Sequence, residues 1–253
     1  MTEAKPQVSM GLFEHLGELR QRLFRAVVAW ILATAVASVF ADQLIALLAR
    51  PVQGATIIVL SPTEAPIIYF KVALATGFGA ALPFIIYQVY AFASPGLYEN
   101  ERQIVLTSIP SVVVFFILGA AFTLQVLIPI SLPVLMGFLG EVVEPTYSLE
   151  AYLGFVTTLV FWMGIIFQTP LLVYLIARLG LLDLKQLAGG RRIVWFLAVI
   201  FAAVVTPTTD PITLLLVTGP FILLYEVGLL LARLGGRQRA QAEARREAEM
   251  EEL

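Results

Sequence analysis

The chain has 253 residues, 59% of them hydrophobic and 13% charged, with a formal net charge of −2, one histidine and no cysteine. A water-facing domain usually carries about 25% charged residues, so this composition excludes an ordinary soluble surface. The near-zero charge leaves no basic field for nucleic acid, and the lack of cysteine excludes disulfides, thiolate metal sites and thiol nucleophiles.

The first polar segment turns amphipathic at Leu12, Phe13, Leu16, Leu19 and Leu23, a spacing that predicts a short interfacial helix. It feeds a first span at residues 23–40, whose apolar run has no cleavage site after a short core and so reads as retained. A loop with Arg50, Pro51, Gly54 and Pro62 follows. The second span covers residues 67–93, with Pro83 inside it as an expected kink. After a short polar loop, residues 94–102, the third span runs over residues 104–127. Its apolar character continues past Pro129 and Pro133 to Leu139, more than one crossing of a core about 30 Å thick requires. The excess is expected to pack as a cap outside the bilayer.

The loop at 140–150 holds Glu141, Glu144 and Glu150 and no basic residue. The fourth span covers residues 152–179 and carries Gln168, Thr169 and Pro170 in mid-run. The fifth, residues 193–205, is short for a crossing. The sixth, residues 211–231, follows the Thr206-Pro207-Thr208-Thr209-Asp210-Pro211 turn. Spans five and six together read as a short hairpin beside a locally thinned bilayer. The expected architecture is therefore an all-α membrane protein of six transmembrane helices, one polytopic domain over residues 1–235, and a charged tail at 236–253, either a solvated, frayed helix or disordered. No internal repeat is present.

Orientation follows from lysine and arginine placement. With the N-terminus in the cytoplasm, 14 of the 16 basic residues fall on inner segments, leaving Arg50 and Lys71 outside. The positive-inside rule selects that arrangement, and an even number of spans returns the C-terminus to the cytoplasm.

Catalytic chemistry has little to work with. The sole histidine, His15, lies outside the spans, and there is no His-Glu-x-x-His pattern and no phosphate loop. Asp42, Asp183 and Asp210 sit near span ends, not as the paired carboxylates of an intramembrane aspartyl site. Binding or transport remains, without a cofactor. A small-solute transporter would show inverted repeats and paired broken helices, and a pure scaffold would have no use for acidic residues gathered on one membrane face.

Three constellations offer binding groups. In His15-Leu16-Gly17-Glu18-Leu19-Arg20-Gln21-Arg22-Leu23, Glu18 and Arg22 stand four apart. They either pair along one helix face or leave Glu18 for a cationic partner. In the stretch from Ala91 to Arg102, Glu99 and Glu101 either favour the positive end of the third span or accept a guanidinium as a forked pair. In Phe167-Gln168-Thr169-Pro170, the proline frees the carbonyl of Ile166. Gln168 bonds to the backbone or a neighbouring helix, or serves as a functional polar group at depth. Glu226, within the sixth span, is expected to face protein or reach inward toward Arg233.

With these residues in place, the chain resembles the TatC family, the polytopic subunit of the twin-arginine protein translocase. The opening from His15 to Leu23, the Ser61-Pro62-Thr63-Glu64-Ala65 loop, the stretch Tyr87-Gln88-Val89-Tyr90-Ala91-Phe92 through Glu101-Arg102, and the turn from Thr206 to Asp210 recur in family order over essentially the whole chain. The resemblance implies a receptor for folded precursors whose signal peptides carry paired arginines, with transport driven by the proton-motive force. It implies that Glu18 and Glu101 engage the arginine pair and that Arg20, Phe92, Pro95, Leu97, Tyr98 and Arg102 surround them. It further implies single-span partners of the TatA and TatB kind along spans four to six, touching Gln168, Thr206 and Asp210, together with further copies of the chain and membrane lipid. Many members carry glutamate where this chain has Gln168, which hydrogen-bonds but does not ionise.

Overall fold

A computed structural model describes residues 12–50, 57–94, 99–137, 146–206 and 210–251; the side chains of residues 12–13, 99–101, 136 and 236–251 lie outside that description. Ten α-helices organise the described chain: α1 Leu12–Val39, α2 Ala41–Ala49, α3 Glu64–Ala93, α4 Glu99–Phe122, α5 Ile128–Gly137, α6 Leu149–Ile166, α7 Thr169–Arg178, α8 Leu184–Gly189, α9 Arg191–Val205 and α10 Pro211–Glu251. Five helical runs are long and apolar enough to cross a membrane: Glu14–Val39, Glu64–Ala93, Arg102–Leu135, Leu149–Arg178 and Pro211–Gly235. The protein is a multi-pass membrane protein.

Two details differ from the sequence reading. The amphipathic opening is not a separate interfacial helix, because no proline interrupts Leu12–Val39 and the segment continues as the first turns of α1. The sixth span is not short: helix runs through Pro220 and past Arg233, so the apolar stretch to Gly235 has full crossing length. Only α9 falls short, with 15 residues, or about 22 Å at 1.5 Å per residue. Of the two alternatives for the charged tail, the helix is the one observed: α10 continues to Glu251.

The third run continues past Pro129 as α5, joined to α4 by a single π turn, Thr123–Leu127. The Thr123 hydroxyl donates to the Gly119 carbonyl at 2.9 Å, and Leu127 and Ile128 point wholly into the core. A two-residue parallel pair, β1 Ile57–Ile58 against β2 Tyr147–Ser148, ties the loop before α3 to the start of α6. The Glu64 carboxylate lies beside this pair and is 4% exposed. It accepts from the Leu60 amide at 3.3 Å and the Glu150 amide at 3.4 Å, satisfying a backbone donor of α6 that has no helical partner. With α2 and α5, these contacts form the cap at one end of the bundle.

Close helix approach rests on small residues, as in lipid-embedded bundles generally. A Cβ on Gly77 would fall on the Thr34 backbone, so α1 and α3 cross there in direct contact. At Gly119 a Cβ would stand 2.6 Å from the Met163 carbonyl oxygen, which sets the α4–α6 crossing. A chain of aromatic contacts runs through Trp30, Phe78, Phe161, Trp162, Phe201 and Phe221 with centroids 5.1–5.8 Å apart. It links α1, α3, α6, α9 and α10 into one body.

Candidate functional site

The end of the bundle opposite the cap gathers the first turns of α1, the last turns of α3 and the start of α4. His15 stacks on Phe92 with centroids 4.3 Å apart, which holds α1 against α3. Arg102 donates through Nε to the Tyr90 hydroxyl at 2.9 Å, which ties α4 to α3. Tyr90, Ala91 and Val105 pack under Leu175 and Leu179, so the end of α7 braces the α3–α4 hairpin from behind.

Glu18 and Arg22 form the expected pair. Arg22 places Nη2 at 2.9 Å and Nε at 3.3 Å on the same oxygen, Oε1 of Glu18. Its remaining arm, Nη1, reaches the Gln88 Oε1 at 3.5 Å. Gln88 is only 4% exposed and comes from α3, so Arg22 bridges two helices. The second carboxylate oxygen of Glu18 is buried and has no hydrogen-bond partner among the described residues. A carboxylate with one oxygen occupied and one unsatisfied is primed for a further charge-assisted donor.

Arg20 and Arg102 are exposed and Phe92 is half-buried beside this pair. Pro95, Leu97 and Tyr98 lie outside the described residues, as does the side chain of Glu101, whose backbone belongs to the first turn of α4. Sequence reasoning gave no role to Gln88; its polar side chain inside the second apolar span marks it as a candidate, but its contact with Arg22 exists only in the folded chain. Sequence reasoning also missed the structural part of Glu64.

The second group of expected site residues lies elsewhere. Gln168 is 5% exposed and sits at the joint between α6 and α7. Its amide donates to the Val112 carbonyl of α4 at 3.1 Å and to the Gly164 carbonyl at 3.2 Å. The Ile166 carbonyl freed by Pro170 accepts from the Thr169 hydroxyl at 2.6 Å, so the break in the span is satisfied internally. The Thr206 hydroxyl donates to the Ala202 carbonyl at 2.8 Å and closes α9. Asp210 accepts from the Thr213 amide at 2.7 Å and caps α10. Glu226 pairs with Arg191 at 2.7 Å rather than with Arg233, because the start of α9 lies alongside α10 there. Among the described residues no cluster of histidine, aspartate and glutamate could hold a metal ion.

The family model for the Sec-independent protein translocase protein (TatC) matches residues 14–220. The chain is 33% identical to the Sec-independent protein translocase protein TatC of Aquifex aeolicus over 238 residues, covering 92% of this chain and 98% of that protein. It is 35% identical to the TatC of Deinococcus radiodurans over 239 residues, covering 91% of this chain and 88% of that one. A crystal structure described as the twin arginine translocase receptor TatC superposes with a TM-score of 0.77 at 34% identity, covering 87% of this chain and 99% of that one. A structure of the receptor in the detergent DDM gives 0.78 at 33% identity, with the same coverage. The chain belongs to the TatC family of Sec-independent protein translocase proteins.

Proposed function

We propose that this protein is the signal-peptide receptor and core subunit of a twin-arginine translocase, exporting folded precursors across the cytoplasmic membrane on the proton-motive force. It is a binding and transport component, not an enzyme. The observation that carries the reading is the half-satisfied Glu18 carboxylate, held by Arg22 where α1, α3 and α4 converge. In this reading the chain crosses six times with both ends in the cytoplasm. Residues 1–235 are the polytopic membrane domain and 236–253 the charged cytoplasmic tail.

Arg22 supplies a rationale for selectivity. Its guanidinium occupies Glu18 as an internal surrogate for the incoming arginine. An arriving guanidinium competes for the carboxylate, and Arg22 transfers to the Gln88 carbonyl oxygen that it already approaches. Planar, forked arginine matches this exchange and the point charge of lysine does not. Glu101 takes the second arginine of the signal. Arg20, Phe92, Pro95, Leu97, Tyr98 and Arg102 frame the peptide on either side.

Single-span partners of the TatA and TatB kind, and further copies of this chain, assemble along α6 to α10, with Gln168, Thr206 and Asp210 at the contact. The Gln168 amide is spent on α4 and α6, and its carbonyl oxygen is buried without a hydrogen-bond partner among the described residues, so a partner helix reaches it only when the α6–α7 joint opens.

Site-directed crosslinking to a twin-arginine signal peptide tests the assignment. Glu18→Ala and Glu101→Ala each reduce crosslinking at least tenfold while membrane insertion persists. Undiminished crosslinking in both variants contradicts it.

A further inference from the structure

We infer that the seam between α3 and α6, at the cap end of the bundle, binds one phospholipid of the phosphatidylethanolamine class, with its phosphate on the Lys71 ammonium and its amine toward Glu150.

Lys71 enters α3 two turns after Glu64 and turns sideways onto α6, where its ammonium donates to the Gly154 carbonyl at 3.1 Å. Gly154 makes this possible: a Cβ there would stand 3.3 Å from the Lys71 nitrogen. The same carbonyl accepts from the Thr158 hydroxyl at 2.7 Å. One of the three ammonium donors is thus spent on the seam, and among the described residues Lys71 has no carboxylate partner. The arrangement fixes a cation at the edge of the bundle and leaves donor capacity for an anion.

The surroundings match a lipid from head to tail. A cavity of about 400 Å³ opens outside Lys71, with Ser148, Glu150 and Thr158 on its walls. A second of about 220 Å³ continues on the inner side of Lys71 and Thr158, lined by Trp30, Leu74, Phe161 and Trp162. A third, of about 410 Å³ and almost wholly apolar, shares Ala75, Thr157 and Phe161 with the second. Thr157 is 3% exposed; its hydroxyl has no partner in the described residues, an unmet polar group where a glycerol ester would lie.

Depth agrees. Lys71 stands about 25 Å along α3 from Gln88 at 1.5 Å per residue, comparable to the roughly 30 Å hydrocarbon core. With the Glu18–Arg22–Gln88 group at one interface, Lys71 is near the other, at headgroup level, with Trp30, which donates to the Leu74 carbonyl at 3.0 Å, about one turn below it. A lone cation would suit any anionic lipid. The glutamate across the same mouth selects a headgroup carrying both a phosphate and an ammonium.

The test is native mass spectrometry of the full chain released from nanodiscs of equal phosphatidylethanolamine and phosphatidylglycerol. The wild-type chain retains one phospholipid, with the ethanolamine lipid enriched at least fivefold over the mixture. Lys71→Gln loses that lipid and Lys71→Arg keeps it. Arg50→Gln, which removes the other cation at this end of the bundle, leaves retention unchanged. Glu150→Gln keeps a lipid but loses the preference, which tests the site even where the Lys71 variant folds poorly. Retention in the bulk ratio by the wild-type chain overturns the inference. So does equal retention by Lys71→Gln and wild type, equal loss by Arg50→Gln and Lys71→Gln, or an unchanged preference in Glu150→Gln.

Discussion

At the scale of single residues, the Glu18 carboxylate is held by Arg22, and Arg22 in turn by Gln88. Arg22 is on the same helix face, four residues away, and Gln88 comes from α3, 66 residues further along. If Arg22 moves to Gln88 when a signal arginine arrives, Gln88→Leu removes its destination. That variant is expected to weaken signal-peptide binding roughly fivefold, for about 1 kcal/mol, as read by equilibrium binding of a labelled peptide; unchanged affinity would mean that Arg22 does not exchange. The Glu18–Arg22 pair was legible in the sequence because helical periodicity alone predicts it. Gln88 was not, because its role exists only once Gly77 lets α1 and α3 touch. The partner of Glu226 was misread for a similar reason: Arg233 is near in sequence, whereas Arg191 is near in space.

At the scale of elements, the joint between α6 and α7 joins the two halves of a broken span. The sequence signalled the break through Pro170 and its freed carbonyl, and the Thr169 hydroxyl accepts that task. Nothing local indicated that the Gln168 amide would cross to Val112 of α4, a contact made across 56 residues. Gln168→Leu deletes this tie and leaves the Val112 carbonyl without that donor. We expect a loss of about 1 kcal/mol of stability, seen as a lowered melting temperature of the purified protein, together with reduced recovery of a single-span partner and intact signal-peptide binding. Loss of signal binding instead would couple the two sites. Hydropathy read the long spans well because length and apolarity are local properties. It stopped the last span at Leu231, short of Arg233, although an arginine at a helix end reaches the interface without ending the helix.

At the scale of the whole molecule, the five long runs and the short α9 define a body whose two ends differ in kind. One end is a packed cap around Glu64 and the β1–β2 pair; the other gathers ionisable groups at α1, α3 and α4. The α9 helix covers about 22 Å and exposes Ile193, Phe196, Ile200 and Val204, so a bilayer around it thins or a partner helix shields it. The proposed orientation predicts that a single cysteine at Ser94 is labelled by a membrane-impermeant maleimide only from the cytoplasmic side, and one at Ser61 only from the opposite side; the reverse pattern would invert the topology and remove the site from the path of a signal. The central claim, that this carboxylate-bearing end discriminates paired arginines, is tested most directly by co-purifying the detergent-solubilised protein with a precursor bearing Arg-Arg or Lys-Lys in its signal. The account predicts recovery with Arg-Arg at least tenfold above Lys-Lys; equal recovery of the two precursors would contradict it.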